Sequence, residues 1–120
     1  DNSQDVITFL DRVDDNPEGY EGYNIYPILA GNKIVMIKSS FFSSEMSGEG
    51  SASDTLNPRV KSTYNYKWLW RSMIRVMSNH PENFFVIWTN HPQTRGTTSY
   101  STAQRSHRFS KWAKDTLAAG

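Results

Sequence analysis

The clearest apolar signal is a pair of short unbroken runs, each followed by a helical stripe. Ile34-Val35-Met36-Ile37 stands between Lys33 and Lys38, and Phe84-Phe85-Val86-Ile87-Trp88 stands between Asn83 and Thr89. Short β-branched and aromatic runs of this kind suit strands buried on both faces, as in a parallel sheet. Between them, Arg59 to Asn79 carries Tyr66, Leu69, Met73, Val76 and Met77 on one helical face, flanked by Trp68 and Trp70. Asn57-Pro58 suits the start of that helix, and His80-Pro81 stops it. A last helix opens at Ser99 or Ser101 and turns Ala103, Phe109, Trp112, Ala113 and Leu117 toward the core.

The first third of the chain is less regular. Val6, Phe9, Leu10 and Val13 fall at i, i+3, i+4 and i+7, so residues 3–13 read as a short amphipathic helix with Ser3 as N-cap. Asp14 to Gly19 is turn chemistry. Tyr20 to Tyr26 holds a short strand or an irregular segment, and Pro27 argues against a central strand there. Gly31-Asn32 is a turn. Residues 39–58 form a long polar loop, and a loop of that length in a compact domain is functional or disordered.

The order helix, strand, helix, strand, helix implies two parallel strands joined by a right-handed crossover. Two parallel strands do not stand alone. Residues 20–30 add another, or neighbouring segments complete the sheet. The whole of residues 1–120 thus reads as part of a single α/β domain.

Composition narrows the chemistry. Four Trp, six Tyr and six Phe supply much of the packing area. Cysteine is absent, which excludes thiol nucleophiles, disulfide scaffolds and zinc–cysteine sites. Net charge is +1, with seven acids and one Arg in residues 1–22 and the bases elsewhere, mostly on predicted helices. Solvated helix faces account for such bases, so no nucleic-acid partner is expected. No stretch is apolar for the ~18 residues of a membrane span. Asp1 is not an initiator Met, so the chain is expected to begin after processing or inside a longer protein.

Ligands of open α/β sheets bind at the carboxyl ends of the strands. Those ends are Ser39-Ser40 with the long loop behind them, and Thr89-Asn90-His91-Pro92. If the strands are neighbours, Ser39, Ser40, Asn90 and His91 face one crevice. Each also has a plain structural reading, as strand terminator or turn. His80 lies in a helix-to-strand turn and His107 on an exposed helix side, and three scattered histidines lack metal-ligand spacing. Gly48-Glu49-Gly50-Ser51 lacks the Lys of a phosphate loop. Trp and Met at helical spacing read as core in preference to a ligand cage. A triad of Ser40, His91 and Glu45 or Glu49 would need an orienting group and oxyanion donors, and no glycine–x–serine–x–glycine elbow is present. No metal or cofactor and no self-contained catalytic set is expected. The aromatic segment around Tyr20, Tyr23 and Tyr26 offers a separate interaction surface if it is exposed.

Several segments together resemble one family. Lys33-Ile34-Val35-Met36-Ile37-Lys38-Ser39-Ser40-Phe41-Phe42-Ser43-Ser44-Glu45 is similar to the V-I-I-F-K-x-C-F-P-x-S-N strand and loop of bacterial SGNH/GDSL-like hydrolases. Asn65-Tyr66-Lys67 resembles the N-Y-K of their next helix, and His80 to Thr89 their H-P-x-x-x-F-I-V-W-T. Thr102 through Phe109 to Trp112 resembles the following A-x-R-A-x-x-F-x-x-W helix, so the likeness covers about residues 33–115. The resemblance implies a flavodoxin-like three-layer open parallel sheet, represented by its central portion. It implies esterase chemistry, often on acylated carbohydrate, and an extracytoplasmic or secreted setting. The family's nucleophilic Ser and its Asp and His lie toward the domain's two ends and match nothing in this chain. Its loop Asn, an oxyanion donor, aligns with Glu45, and its loop Cys and Pro align with Ser40 and Phe42. An ionised carboxylate cannot donate a hydrogen bond and repels an oxyanion. The candidate substrate-contacting set is Ser39, Ser40, Asn90 and His91 from the strand ends, with Glu45 added by the resemblance. The same fold without the chemistry would be a glycan-binding or structural module.

Overall fold

The computed structural model describes residues 26–38, 45–57, 60–89 and 93–118. Within them the chain is mixed α/β. It runs α1 (Tyr26–Gly31), β1 (Ile34–Lys38), a 3₁₀ turn (Ala52–Leu56), α2 (Thr63–Met77), β2 (Phe84–Trp88) and α3 (Tyr100–Trp112), the last continuing as a π-helical turn over Ala113–Leu117. The expected helix at 3–13 and the aromatic residues Tyr20 and Tyr23 lie outside the described residues. Tyr26 opens α1, a helix the apolar pattern did not indicate. Pro27 is compatible with it, because a first-turn amide has no intrahelical acceptor to lose.

β1 and β2 pair in parallel, as the crossover length requires, in register from Ile34 opposite Phe84 to Lys38 opposite Trp88. The amide of Phe84 also donates to the carbonyl of Lys33 at 2.6 Å, extending the ladder by one step. The two runs are not buried on both faces. Val35 is 7% exposed and packs with Phe85 and Ile87 into the core. Ile34, Met36, Phe84 and Trp88 on the opposite face are 65%, 60%, 66% and 53% exposed. The period-2 alternation of a strand sends these two sets to opposite faces. Among the described residues the helices cover only one.

That covered face meets α2 and α3. Tyr66, Leu69, Trp70, Met73 and Met77 are buried on α2, while Trp68 points outward. Phe109 of α3 is fully buried. Its ring centroid lies 5.8 Å from Tyr66 and 5.1 Å from Trp70, both edge-to-face. Ala113 is buried and Leu117 packs against the same cluster, as expected, but Ala103 is exposed.

Capping sets where the helices begin. α2 starts at Thr63, four residues after Arg59. Ser62 is its N-cap, accepting from the Asn65 amide at 3.2 Å. The backbone just before Thr63 is committed elsewhere: Lys61 accepts from the Ser47 amide at 2.9 Å and Ser62 forms a parallel bridge with Gly48. Ser99 caps α3, accepting from the Thr102 amide at 3.2 Å.

Candidate functional site

Parallel pairing brings the carboxyl ends of both strands, Lys38 and Trp88, side by side. Ser39 and Ser40 follow the first end in sequence; Asn90 and His91 follow the second after Thr89. All four lie outside the described residues. Glu45, the remaining residue of the expected set, is described. Its carboxylate pairs with Lys61 Nζ at 3.0 Å, both side chains nearly half exposed. A pair so exposed stabilises by less than about 1 kcal/mol.

Just beyond Glu45, the described part of the long polar loop is anchored. Met46 is fully buried. Its carbonyl accepts from Arg105 Nε at 2.8 Å, and its sulfur from Thr63 Oγ1 at 3.7 Å. The Gly48 carbonyl accepts from the Thr63 amide and that of Glu49 from the Tyr64 amide. The Glu49 carboxylate pairs with Arg108. The segment is therefore a structural strap between the N-terminal end of α2 and α3.

Asp54 and Ser62 pin the strap from within. Asp54 Oδ2 accepts from the Ser62 hydroxyl at 2.6 Å and from the Ser51 amide at 3.1 Å. Gly50 turns beneath them at φ +75°, where a Cβ would collide with Asp54 Oδ2 and Ser62 Oγ. The Ser62–Asp54 contact is not a nucleophile–base pair, because Ser62 Oγ is already the cap of α2 and no imidazole takes part. His80 Nδ1 lies 3.4 Å from Glu82 Oε1 in the turn before β2, and His107 is exposed on α3.

Two buried asparagines complete the frame. Asn65 Nδ2 donates to the carbonyls of Asn57 and Val60, each at 3.0 Å. Asn83 Nδ2 donates to those of Leu29 and Asn32 at 2.7 and 2.6 Å, tying α1 to the start of β2. Asn65 and Arg105 entered the sequence reading only through segments that carry the family resemblance, and Asn83, Asp54 and Ser62 were not singled out at all. Only Ser62 carried a local signal, a serine three residues before an asparagine amide at a helix start.

Tyr66 sits under this frame. Burial raises its phenol far above the ordinary tyrosine value, and the Glu45 carboxylate adds to the rise. It remains neutral at any physiological pH and is unsuited to proton transfer there. An apolar cavity of about 190 Å³ is bounded by Trp70, Ile74, Ile87, Thr89, Ala113 and Leu117. Lys114 also lines it, and its apolar walls can accept an apolar group. No helix among the described residues is long and apolar enough to cross a membrane. Comparisons with protein-family models, with curated proteins and with solved structures find no match for this chain in any of the three.

Proposed function

We propose that this chain is the central portion of an SGNH/GDSL-like esterase domain in an extracytoplasmic setting. It would contribute walls of a crevice for acylated carbohydrate, without supplying the nucleophile. The observation that carries this reading is the parallel register that sets Lys38 beside Trp88. The polar pairs Ser39-Ser40 and Asn90-His91 follow from neighbouring strand ends, the side of an open α/β sheet where ligands bind. The uncovered face at Ile34, Met36, Phe84 and Trp88 fits a sheet that gains a further layer from other segments of its domain. On this reading the attacking serine and an Asp–x–x–His pair come from outside residues 1–120, and the crevice orients the ester.

One observation favours a second reading, a non-catalytic glycan-binding or structural module of the same fold. Glu45 stands where the resemblance calls for an oxyanion-donating Asn, and its carboxylate is committed to Lys61. A charge of that sign opposes an oxyanion nearby.

The test combines the gene with an assay. The full-length gene is expected to encode a strand with Ser upstream and an Asp–x–x–His downstream. A chain extended to include both should hydrolyse p-nitrophenyl acetate, while residues 1–120 alone should not. A gene lacking both segments supports the second reading. Turnover by residues 1–120 that disappears in Ser40→Ala would overturn the first.

A further inference from the structure

The two long helices are charged in one sign only. α2 carries Lys67, Arg71 and Arg75, α3 carries Arg105, Arg108 and Lys111, and neither contains an Asp or Glu. A merely solvated helix face ordinarily intersperses acids with bases, because i, i+4 pairs of opposite charge stabilise it and like pairs do the reverse. The dipole at the C-terminal ends of the helices favours Arg75 and Lys111 where they stand, but not Lys67 and Arg71.

The acids among the described residues do not neutralise this surface. Arg105 is committed to the Met46 carbonyl and Arg108 to Glu49. Glu45 pairs with Lys61, Glu82 with His80 and Asp115 with Lys114. Asp54 is tied to Ser51 and Ser62. Among the described residues, Lys67, Arg71, Arg75 and Lys111 have no carboxylate partner.

Aromatic rings interleave with these cations. At 100° per residue, Tyr64, Lys67, Trp68, Arg71 and Arg75 fall within an arc of about 100° opposite the buried face of α2. Tyr64 and Trp68 are 45% and 43% exposed there. Lys67 Nζ and Arg71 Cζ lie 5.2 and 5.1 Å from the Trp112 ring centroid, so α3 adds a ring to the edge of the same face. The cation row from Lys67 to Arg75 runs about 12 Å along the helix.

We propose that this outer face of α2, bordered by Trp112, binds an anionic polysaccharide, a chain of sugar rings bearing carboxylates. The cations meet the carboxylates, and Tyr64 and Trp68 stack against the apolar faces of the pyranose rings. A nucleic acid is the less fitting polyanion. Its affinity grows with the number of phosphates neutralised together along a cationic groove, and a convex helix with a few cations in line engages few. The face lies on the outer side of α2, away from β1 and β2, so the proposal stands whether or not the chain belongs to an esterase.

Affinity electrophoresis of the 120-residue chain in gels containing polygalacturonate, with dextran as the neutral control, provides the test. Polygalacturonate is expected to retard the chain and dextran is not. The apparent affinity should fall at least about tenfold between about 20 mM and about 200 mM salt. Lys67→Gln/Arg71→Gln/Arg75→Gln should lose it by a similar factor with an unchanged far-ultraviolet circular dichroism spectrum. Lys33→Gln/Arg95→Gln, which removes charge elsewhere, should retain it. Trp68→Leu should weaken binding while leaving the net charge intact. Absence of retardation, retardation undiminished in the triple variant, or tighter binding of an oligothymidylate than of polygalacturonate would each overturn the proposal.

Discussion

Arg105 Nε donates to the carbonyl of Met46 at 2.8 Å, joining residues fifty-nine apart in sequence. This bond holds the strap that follows β1 against α3, with the Met46 side chain fully buried beside it. Lysine cannot reproduce the planar guanidinium geometry. Arg105→Lys and Arg105→Ala should therefore each lower stability by about 1.5–3 kcal/mol, read as a shift in the urea midpoint with unchanged m-value. Arg108→Ala, at the exposed pair with Glu49, should cost less than about 1 kcal/mol.

Gly50 and Gly48 make an internal comparison. Gly50 combines positive φ with a blocked Cβ position, whereas a Cβ on Gly48 meets nothing within 4 Å. Gly50→Ala should destabilise by about 2–4 kcal/mol, since strain at φ > 0 adds to displacement of Asp54 and Ser62. Gly48→Ala should stay within about 1 kcal/mol of the wild type. Thermal unfolding of the two variants side by side checks this, and equal effects would refute the strap geometry.

Asn83 tests the link between α1 and β2. Asn83→Asp keeps the shape but replaces the donating amide with a carboxylate facing the carbonyls of Leu29 and Asn32. A loss of about 2–4 kcal/mol near neutral pH is expected. Hydrogen exchange should locate the loosening at Tyr26–Gly31 ahead of α2 and α3.

Tyr66 predicts an alkaline limit. Burial, aided by Glu45, raises its pKa in the folded chain. Above pH ~10 the unfolded chain releases the phenol proton and the folded chain keeps it, so stability falls as pH rises. The slope from this residue is about 1.4 kcal/mol per pH unit above that point. Tyr66→Phe should remove that component, giving a flatter stability profile between pH 9 and 11 than the wild type. Parallel profiles would sink the assignment.

Much of the architecture is written locally. The apolar runs at 34–37 and 84–88 mark both strands, and the stripe through Tyr66, Leu69, Met73 and Met77 marks α2 and its buried side. His80-Pro81 ends that helix, and Ser99 begins the next. These features depend on periodicity and capping within a few residues, which the chain carries on its face. The parallel pairing of β1 with β2 follows from crossover length and is equally legible.

Contacts distant in sequence were not legible. Nothing local distinguishes Arg105, which reaches Met46, from Arg108, which makes a surface pair. Asn83 matters through carbonyls more than fifty positions earlier. The start of α2 moved from Arg59 to Thr63 because Lys61 and Ser62 pair with Ser47 and Gly48, a non-local competition that helix propensity cannot register. The same holds for the expected crevice. The resemblance brings Glu45 to it, and the ion pair of that carboxylate with Lys61, sixteen residues on, could not be read from residue order. Sequence by itself thus determined the two strands, α2, α3 and the apolar side of α2, but not α1. Only the tertiary structure decided which sheet face is covered and where each charge and buried amide finds its partner, because those outcomes depend on chain segments that meet only after folding.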